Sequence, residues 1–179
     1  MRDRLWFLAV LLAAVAVLSA TACSDSSAPR SVLRVETING NEPLRSDVLR
    51  GDGEDASVLE DEVVIEIRNL PHDEVLALAT SPYNSVLLKR YEVRFESDEA
   101  IPPVTGALGW QVGVGRQVSG AIVVVPAGLK VVAPLVSLQQ GGEIQAVAHL
   151  TFFGEESGSN EEVRFGTVLQ VNFANWTDE

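Results

Sequence analysis

The segment between residues 143 and 173 constrains the fold of this chain more than any other part. Apolar and polar side chains alternate from Glu143 to Gly154 and again from Glu162 to Phe173. A period of two residues places successive side chains on opposite faces of an extended strand. The residues between the two runs are polar and include Gly158, a composition typical of a turn. The segment therefore predicts a long antiparallel hairpin with one face on a core and the other in water.

Five further segments have a similar pattern, which indicates five more strands. The clearest is Val86–Glu96, where Tyr91, Val93 and Phe95 alternate with charged residues. In the last of the five, residues 121–125 form an apolar run that we expect to be buried on both sides. The five segments are Ser31–Ile38, Asp61–Asn69, Val86–Glu96, Ala107–Val114 and Gln117–Val125.

The segments between these strands show little regular pattern. Residues 42–60 are irregular and acidic, so we expect a loop with its tip at residues 51–55. The connection from His72 to Ser85 has room for one helical turn at Asp73–Ala79. Residues 127–140 carry apolar side chains that suit a short helix or a crossover covering one end of the core.

Seven strands with little helix between them predict an all-β domain of two antiparallel sheets packed face to face. Residues Ser31 to Trp176 resemble an immunoglobulin-like or fibronectin-like module, in which about seven strands form such a sandwich. The cysteine pair of true immunoglobulin domains is missing, so the resemblance implies the architecture alone. A closed β-barrel is the alternative fold for the same strands. We place one β-sandwich domain at residues 31–179.

The first 23 residues have the three parts of a secretory signal. Residues 1–4 are Met-Arg-Asp-Arg, residues 5–18 are apolar, and small residues lead to Cys23. The apolar run is shorter than the ~20 residues that a membrane-spanning helix needs. Residues 20–22, Ala-Thr-Ala, fit ordinary signal peptidase, and together with Cys23 they also resemble the lipobox of bacterial lipoproteins. We expect residues 1–22 to form a signal helix that is removed by cleavage between Ala22 and Cys23.

The lipobox resemblance implies that Cys23 becomes the N-terminus and the site of lipid attachment. In that family a thioether joins the cysteine to diacylglycerol, and two or more acyl chains suffice for stable membrane attachment. Residues 23–30 are polar and predict a short flexible tether. Ser24 implies the outer membrane if the source is Gram-negative. The expected location is the cell envelope outside the cytoplasm, with the membrane as one partner and an envelope protein as another.

Charge and cysteine content exclude several kinds of ligand. Without residues 1–22 the chain carries 11 basic and 24 acidic residues, a net charge of −13. Such a chain repels phosphate backbones, which excludes nucleic acid as a partner. Cys23 is the only cysteine, which excludes an intramolecular disulfide and a multi-cysteine metal site. A lone free thiol is a liability in an exported protein, and this favours lipidation.

The motifs that mark common enzyme classes are missing from the sequence. The chain has no Gly-x-Ser-x-Gly elbow, and its two histidines, His72 and His149, have no predicted catalytic neighbours. We therefore expect no catalytic residue, no metal ion and no cofactor. The leading hypothesis is a non-enzymatic structural or protein-interaction module, for which the sequence predicts no oligomeric state.

The alternative hypothesis is a calcium- or carbohydrate-binding module. Two acidic loops offer carboxylates of the kind that calcium takes, although neither has EF-hand spacing. Carbohydrates stack on exposed aromatic rings, and Trp110, on a glycine-rich strand predicted at a sheet edge, is better placed than Trp176. The acidic residues are Asp52, Glu54 and Asp55 in one loop, and Glu155, Glu156, Glu161 and Glu162 in the other.

Overall fold

The computed structural model describes residues 31–51, 53–71 and 85–176. The predicted signal helix, the tether and the helical turn at Asp73–Ala79 lie outside these residues. The described part is an all-β domain of eight strands with short helical segments between some of them. The strands are β1 (Ser31–Ile38), β2 (Leu44–Asp47), β3 (Asp61–Pro71), β4 (Ser85–Glu96), β5 (Val104–Gly113), β6 (Gln117–Val125), β7 (Glu143–Glu156) and β8 (Glu162–Ala174). The helical segments are α1 (Ala127–Lys130) and the 3-10 turns Asn39–Asn41, Gly53–Asp55 and Leu135–Gln140.

The eight strands of the described part form two sheets around one core. The strand order is β1-β3-β6 in the three-stranded sheet and β2-β8-β7-β4-β5 in the five-stranded sheet. Neighbouring strands in these sheets are antiparallel except β2 and β8, which run parallel. The prediction of an all-β, two-sheet domain is therefore confirmed, with eight described strands in place of about seven.

The additional strand, β2, lies in the segment that the sequence predicted to be an irregular loop. It pairs with the end of β8, from Leu44 opposite Val171 to Asp47 opposite Ala174. Leu44 and Ser46 are both buried. A strand of four residues with one apolar side chain is too short to show a period of two, so its pairing with β8 is what defines it.

The predicted hairpin is confirmed as β7 and β8. Their register runs without interruption from Glu143 opposite Ala174 to Glu155 opposite Glu162. The inward side chains of β7, such as Phe152, are buried. Strand β4 pairs with the other side of β7, so β7 lies at the centre of the five-stranded sheet. The outward residues of β4, β7 and β8 therefore lie side by side.

Two glycines allow aromatic rings to fill the space between the sheets. The Tyr91 hydroxyl of β4 donates a hydrogen bond to the Val123 carbonyl oxygen of β6 at 2.9 Å, which joins the two sheets. Its ring covers Gly106, where a Cβ atom would lie 2.2 Å from the ring. Trp110 covers Gly120 in the same way, at 2.5 Å. Burial raises the pKa of Tyr91 and outweighs the opposite effect of its hydrogen bond to Val123.

A buried ion pair closes the end of the sandwich opposite Ser31. Lys130, at the end of α1, is only 1% exposed. Its Nζ donates to the Asp47 carbonyl oxygen at 2.7 Å and lies 2.9 Å from Asp61 Oδ2. The Ser46 hydroxyl donates to the same Asp61 oxygen at 2.6 Å. One lysine therefore ties α1 to both β2 and β3.

The prediction that residues 121–125 are buried on both sides is wrong in part. Ala121 is exposed and Val123 is half-buried. The reason is that β6 is an edge strand of the three-stranded sheet, and the outer face of this sheet is in solvent near Ala121, where the paired Val64 is 54% exposed.

The prediction of a short helix or crossover at residues 127–140 is confirmed in part. Helix α1 and a 3-10 turn form there, and Leu135 and Leu138 are buried. Val131 and Val132 of the same segment are exposed.

Candidate functional site

Among the described residues, those predicted from the sequence do not form one site. Ala22 and Cys23, the predicted cleavage and lipid-attachment residues, lie outside the described residues, as do Asp52 and His72. His149 is exposed on β7, where its Nε2 lies 2.9 Å from Glu96 Oε2 on β4. This pair is a surface contact between neighbouring strands.

The acidic turn between β7 and β8 is organised by contacts within the protein. Glu155 forms an ion pair with Lys89. Glu156 is 3% exposed, and its Oε2 accepts a hydrogen bond from Ser159 Oγ at 3.0 Å. Within residues 31–51, 53–71 and 85–176, no three His, Cys, Asp or Glu side chains form a group that could hold a metal ion.

Trp110, the candidate for an exposed aromatic contact under the carbohydrate-binding alternative, is half-buried. Its strand, β5, is an edge strand as predicted, but the side chain packs against the core over Gly120. Trp176 is also half-buried, and the Arg45 guanidinium carbon lies 4.3 Å from the centroid of its ring. Both indole rings are occupied by contacts within the domain.

Charged, aromatic and apolar side chains come together on the outer side of the five-stranded sheet. We call the outward residues of β4, β7 and β8 the outer face. The strand register arranges them in five rows, each with one residue from β4, β7 and β8 in that order. The rows are Leu87–Glu155–Glu162, Arg90–Phe153–Arg164, Glu92–Thr151–Gly166, Arg94–His149–Val168 and Glu96–Val147–Gln170.

The second row places an aromatic ring between two guanidinium groups. The Arg90 guanidinium carbon lies 3.5 Å from the centroid of Phe153, and that of Arg164 lies 5.4 Å away. A bulge between Leu88 and Arg90 inserts Lys89 as an extra residue, so Lys89 and Arg90 are both exposed. Each contact between a cation and a ring contributes about 0.5–1 kcal/mol at an exposed site.

The charges on the outer face alternate in sign from row to row. The first, third and fifth rows carry glutamates, while the second and fourth carry arginines. Arg94 Nε contacts Glu92 Oε1 at 2.6 Å, which joins the fourth row to the third. Such exposed ion pairs contribute at most about 1 kcal/mol each. These side chains can therefore exchange their present partners for others at little cost.

Apolar residues lie among these charges. Val147 and Val168 are 39% and 57% exposed and line a shallow groove of about 320 Å³. A second groove, of about 350 Å³, lies beside Phe153. Arginine and aromatic side chains combined with apolar groups are typical of surfaces that bind another protein.

Apart from His149, Glu155 and Glu162, no residue of the outer face was a candidate from the sequence, although one signal was present. Phe152 and Phe153 are adjacent, so one of the two must point away from the core of an alternating strand. The row itself could not be predicted, because it depends on the register of three strands and on the bulge at Lys89.

Within the described ranges, no helix is both long and apolar enough to cross a membrane. No protein-family model matches the chain, and the search among curated proteins found no match either.

Proposed function

We propose that this protein is an envelope lipoprotein, anchored through Cys23, whose β-sandwich is a non-enzymatic protein-interaction module. The observation that supports this role is the outer face, where Phe153 between two arginines lies on the same surface as Val147 and Val168. Aromatic, arginine and apolar groups in one patch provide the contacts that dominate binding between proteins.

The strand order supports an immunoglobulin-like connection of the sandwich. In that fold, strands A, B and E lie in one sheet and strands C, F and G in the other. Here β1, β3 and β6 form one sheet, while β4, β7 and β8 adjoin one another in the second. With β2 as the continuation of β1 and β5 as an added edge strand, the two orders agree.

Replacing Cys23 tests the anchor. We expect the wild-type protein to incorporate labelled palmitate and to stay with membranes after salt and carbonate washes. The Cys23→Ala variant should lose both properties while keeping the strand signal in circular dichroism. If Cys23→Ala stays on washed membranes, the lipid anchor is wrong.

Photocrosslinking tests the interaction surface. Val168 on the outer face and Val64 on the three-stranded sheet are similarly exposed, at 57% and 54%, so they form a matched pair of positions for a photoreactive residue. We expect protein adducts from position 168 in intact cells and few from position 64. Equal yields from both positions, or none from 168, would contradict an interaction role for the outer face.

A further inference from the structure

The geometry points to a second copy of the same chain as the partner of the outer face. The two five-stranded sheets pack face to face with their strands antiparallel. This inference rests on the proposed interaction role of the outer face and adds the identity of its partner.

The charge of the outer face differs from that of the rest of the chain. Together with Lys89, the five rows contain four acidic and four basic residues, so the outer face has no net charge. The mature chain carries −13, and this charge therefore lies entirely elsewhere. Like-charged molecules repel each other least where a neutral surface meets a neutral surface.

The alternating charge of the rows makes the outer face complementary to a second copy of itself. A pattern that alternates in sign is complementary to its own reversed copy when the two are offset by one row. A two-fold axis parallel to the sheets and perpendicular to the strands reverses the row order, as an isologous interface requires. If the axis passes between the third and fourth rows, each arginine row lies opposite a glutamate row of the other copy.

This register pairs specific residues across the interface. Arg90 of each copy lies opposite Glu96 of the other, and Glu92 lies opposite Arg94. The other register that the alternation allows, with the axis between the second and third rows, places Arg90 opposite Glu92 instead. The first of these two registers is favoured because it pairs both arginines of β4 with glutamates, whereas the other places Arg94 opposite Leu87.

The size of the surface indicates a weak dimer. Four rows spaced by ~6.6 Å and the three strands of the outer face, spaced by ~4.8 Å, give a patch of roughly 20 by 10 Å. Even with its rim, the total buried area stays below the lower limit of about 1,000–1,200 Å² for specific interfaces, as in weak and transient complexes. Confinement to one membrane raises the local concentration of the copies, and this compensates for a low affinity.

A charge-exchange experiment with the full chain tests the pairing. Two copies with different C-terminal epitope tags are produced together, extracted from membranes with a mild detergent and captured through one tag. Two R90E copies bring acidic side chains opposite one another, and two E96R copies bring basic ones. We expect each combination to reduce co-capture by about tenfold relative to wild type, because like charges across an interface are strongly unfavourable.

The decisive combination is R90E with E96R. Opposite charges then meet at both contacts, so co-capture should return to near the wild-type level, and damaged folding could not produce this recovery. R90E with E92R is the matched control and should stay low. Undiminished capture in the single variants, or no recovery in the mixed pair, overturns the inference. Recovery with E92R instead overturns the stated register.

The result of the co-capture experiment can be distinguished from the results that test the proposed function. If position 168 crosslinks to a different protein while the charge variants have no effect on self-capture, the second copy is wrong and the interaction role stands. The anchor is tested separately by Cys23→Ala. If this variant leaves the membranes while the wild type and the charge variants stay, the anchor stands whatever the co-capture experiment shows.

Discussion

Lys130 is the residue whose replacement should destabilise the fold most clearly. It is almost fully buried and contacts Asp61 and the carbonyl oxygen of Asp47. In Lys130→Met the side chain keeps a similar length and its apolar contacts, but the positive charge is lost. Asp61 then retains a negative charge whose main compensation is the hydrogen bond from Ser46.

Removing one partner of a buried ion pair costs about 3–5 kcal/mol in the free energy of unfolding. The Asp61 side chain is 18% exposed, so water can partly replace the lysine, and we expect the lower end, about 3 kcal/mol. For a domain of about 150 residues this lowers the melting temperature by roughly 6–12 °C.

The only other lysine of the chain provides the control. Lys89 also pairs with a carboxylate, that of Glu155, but its side chain is 52% exposed. Lys89→Met should change the free energy of unfolding by less than about 1 kcal/mol. Urea denaturation followed by circular dichroism measures both variants. If Lys130→Met is no more destabilising than Lys89→Met, the buried pair does not hold α1 against the sheets.

Three further measurements test other parts of the structure. Gly106→Ala places a Cβ atom 2.2 Å from the Tyr91 ring and should destabilise the domain by about 1–3 kcal/mol, whereas Gly109→Ala in the same strand meets open space and should cost much less. Because the pKa of Tyr91 is raised in the folded state, its contribution to stability is complete below about pH 10 and falls as the pH rises further. In Tyr91→Phe the free energy of unfolding should no longer fall at alkaline pH. At neutral pH the variant should be less stable by about 1 kcal/mol, because it lacks the hydrogen bond to Val123. A pH profile that does not change would contradict this. Millimolar calcium should leave the melting temperature unchanged, since Glu155 and Glu156 are engaged within the protein; a rise would support the calcium-binding alternative.

The strands that could be predicted are those long enough for their own sequence to show a period of two residues. In β7 and β8 the alternation extends over 12 residues or more, so both the strands and their pairing could be derived from the sequence. Strand β2 could not, because four residues hold too little pattern and its pairing with β8 is tertiary. The exposure of Ala121 was also missed, since a continuous apolar run does not show which sheet edge is left uncovered.

The outer face could not be predicted from the sequence, for a different reason. Arg90, Phe153 and Arg164 are separated by 63 and 11 positions in the sequence and become neighbours only through two strand pairings. The position of Arg90 also depends on the bulge at Lys89, which a simple alternation would not place. For Trp110 the edge strand could be predicted, whereas its contact with Gly120 of the other sheet depends on the packing of the two sheets.

The direction in which β1 starts has a consequence for the proposed pair of lipid-anchored copies on a bilayer. Ser31 lies opposite Pro71, at the end of the sandwich away from Lys130. In the proposed pair, the antiparallel strands put the two anchor segments at opposite ends. Eight residue steps from Cys23 to Ser31 reach at most about 28 Å, less than the ~46 Å length of β7. Both anchors can therefore enter one membrane only if the two-fold axis points along the membrane normal, with every strand lying flat, parallel to the lipid surface.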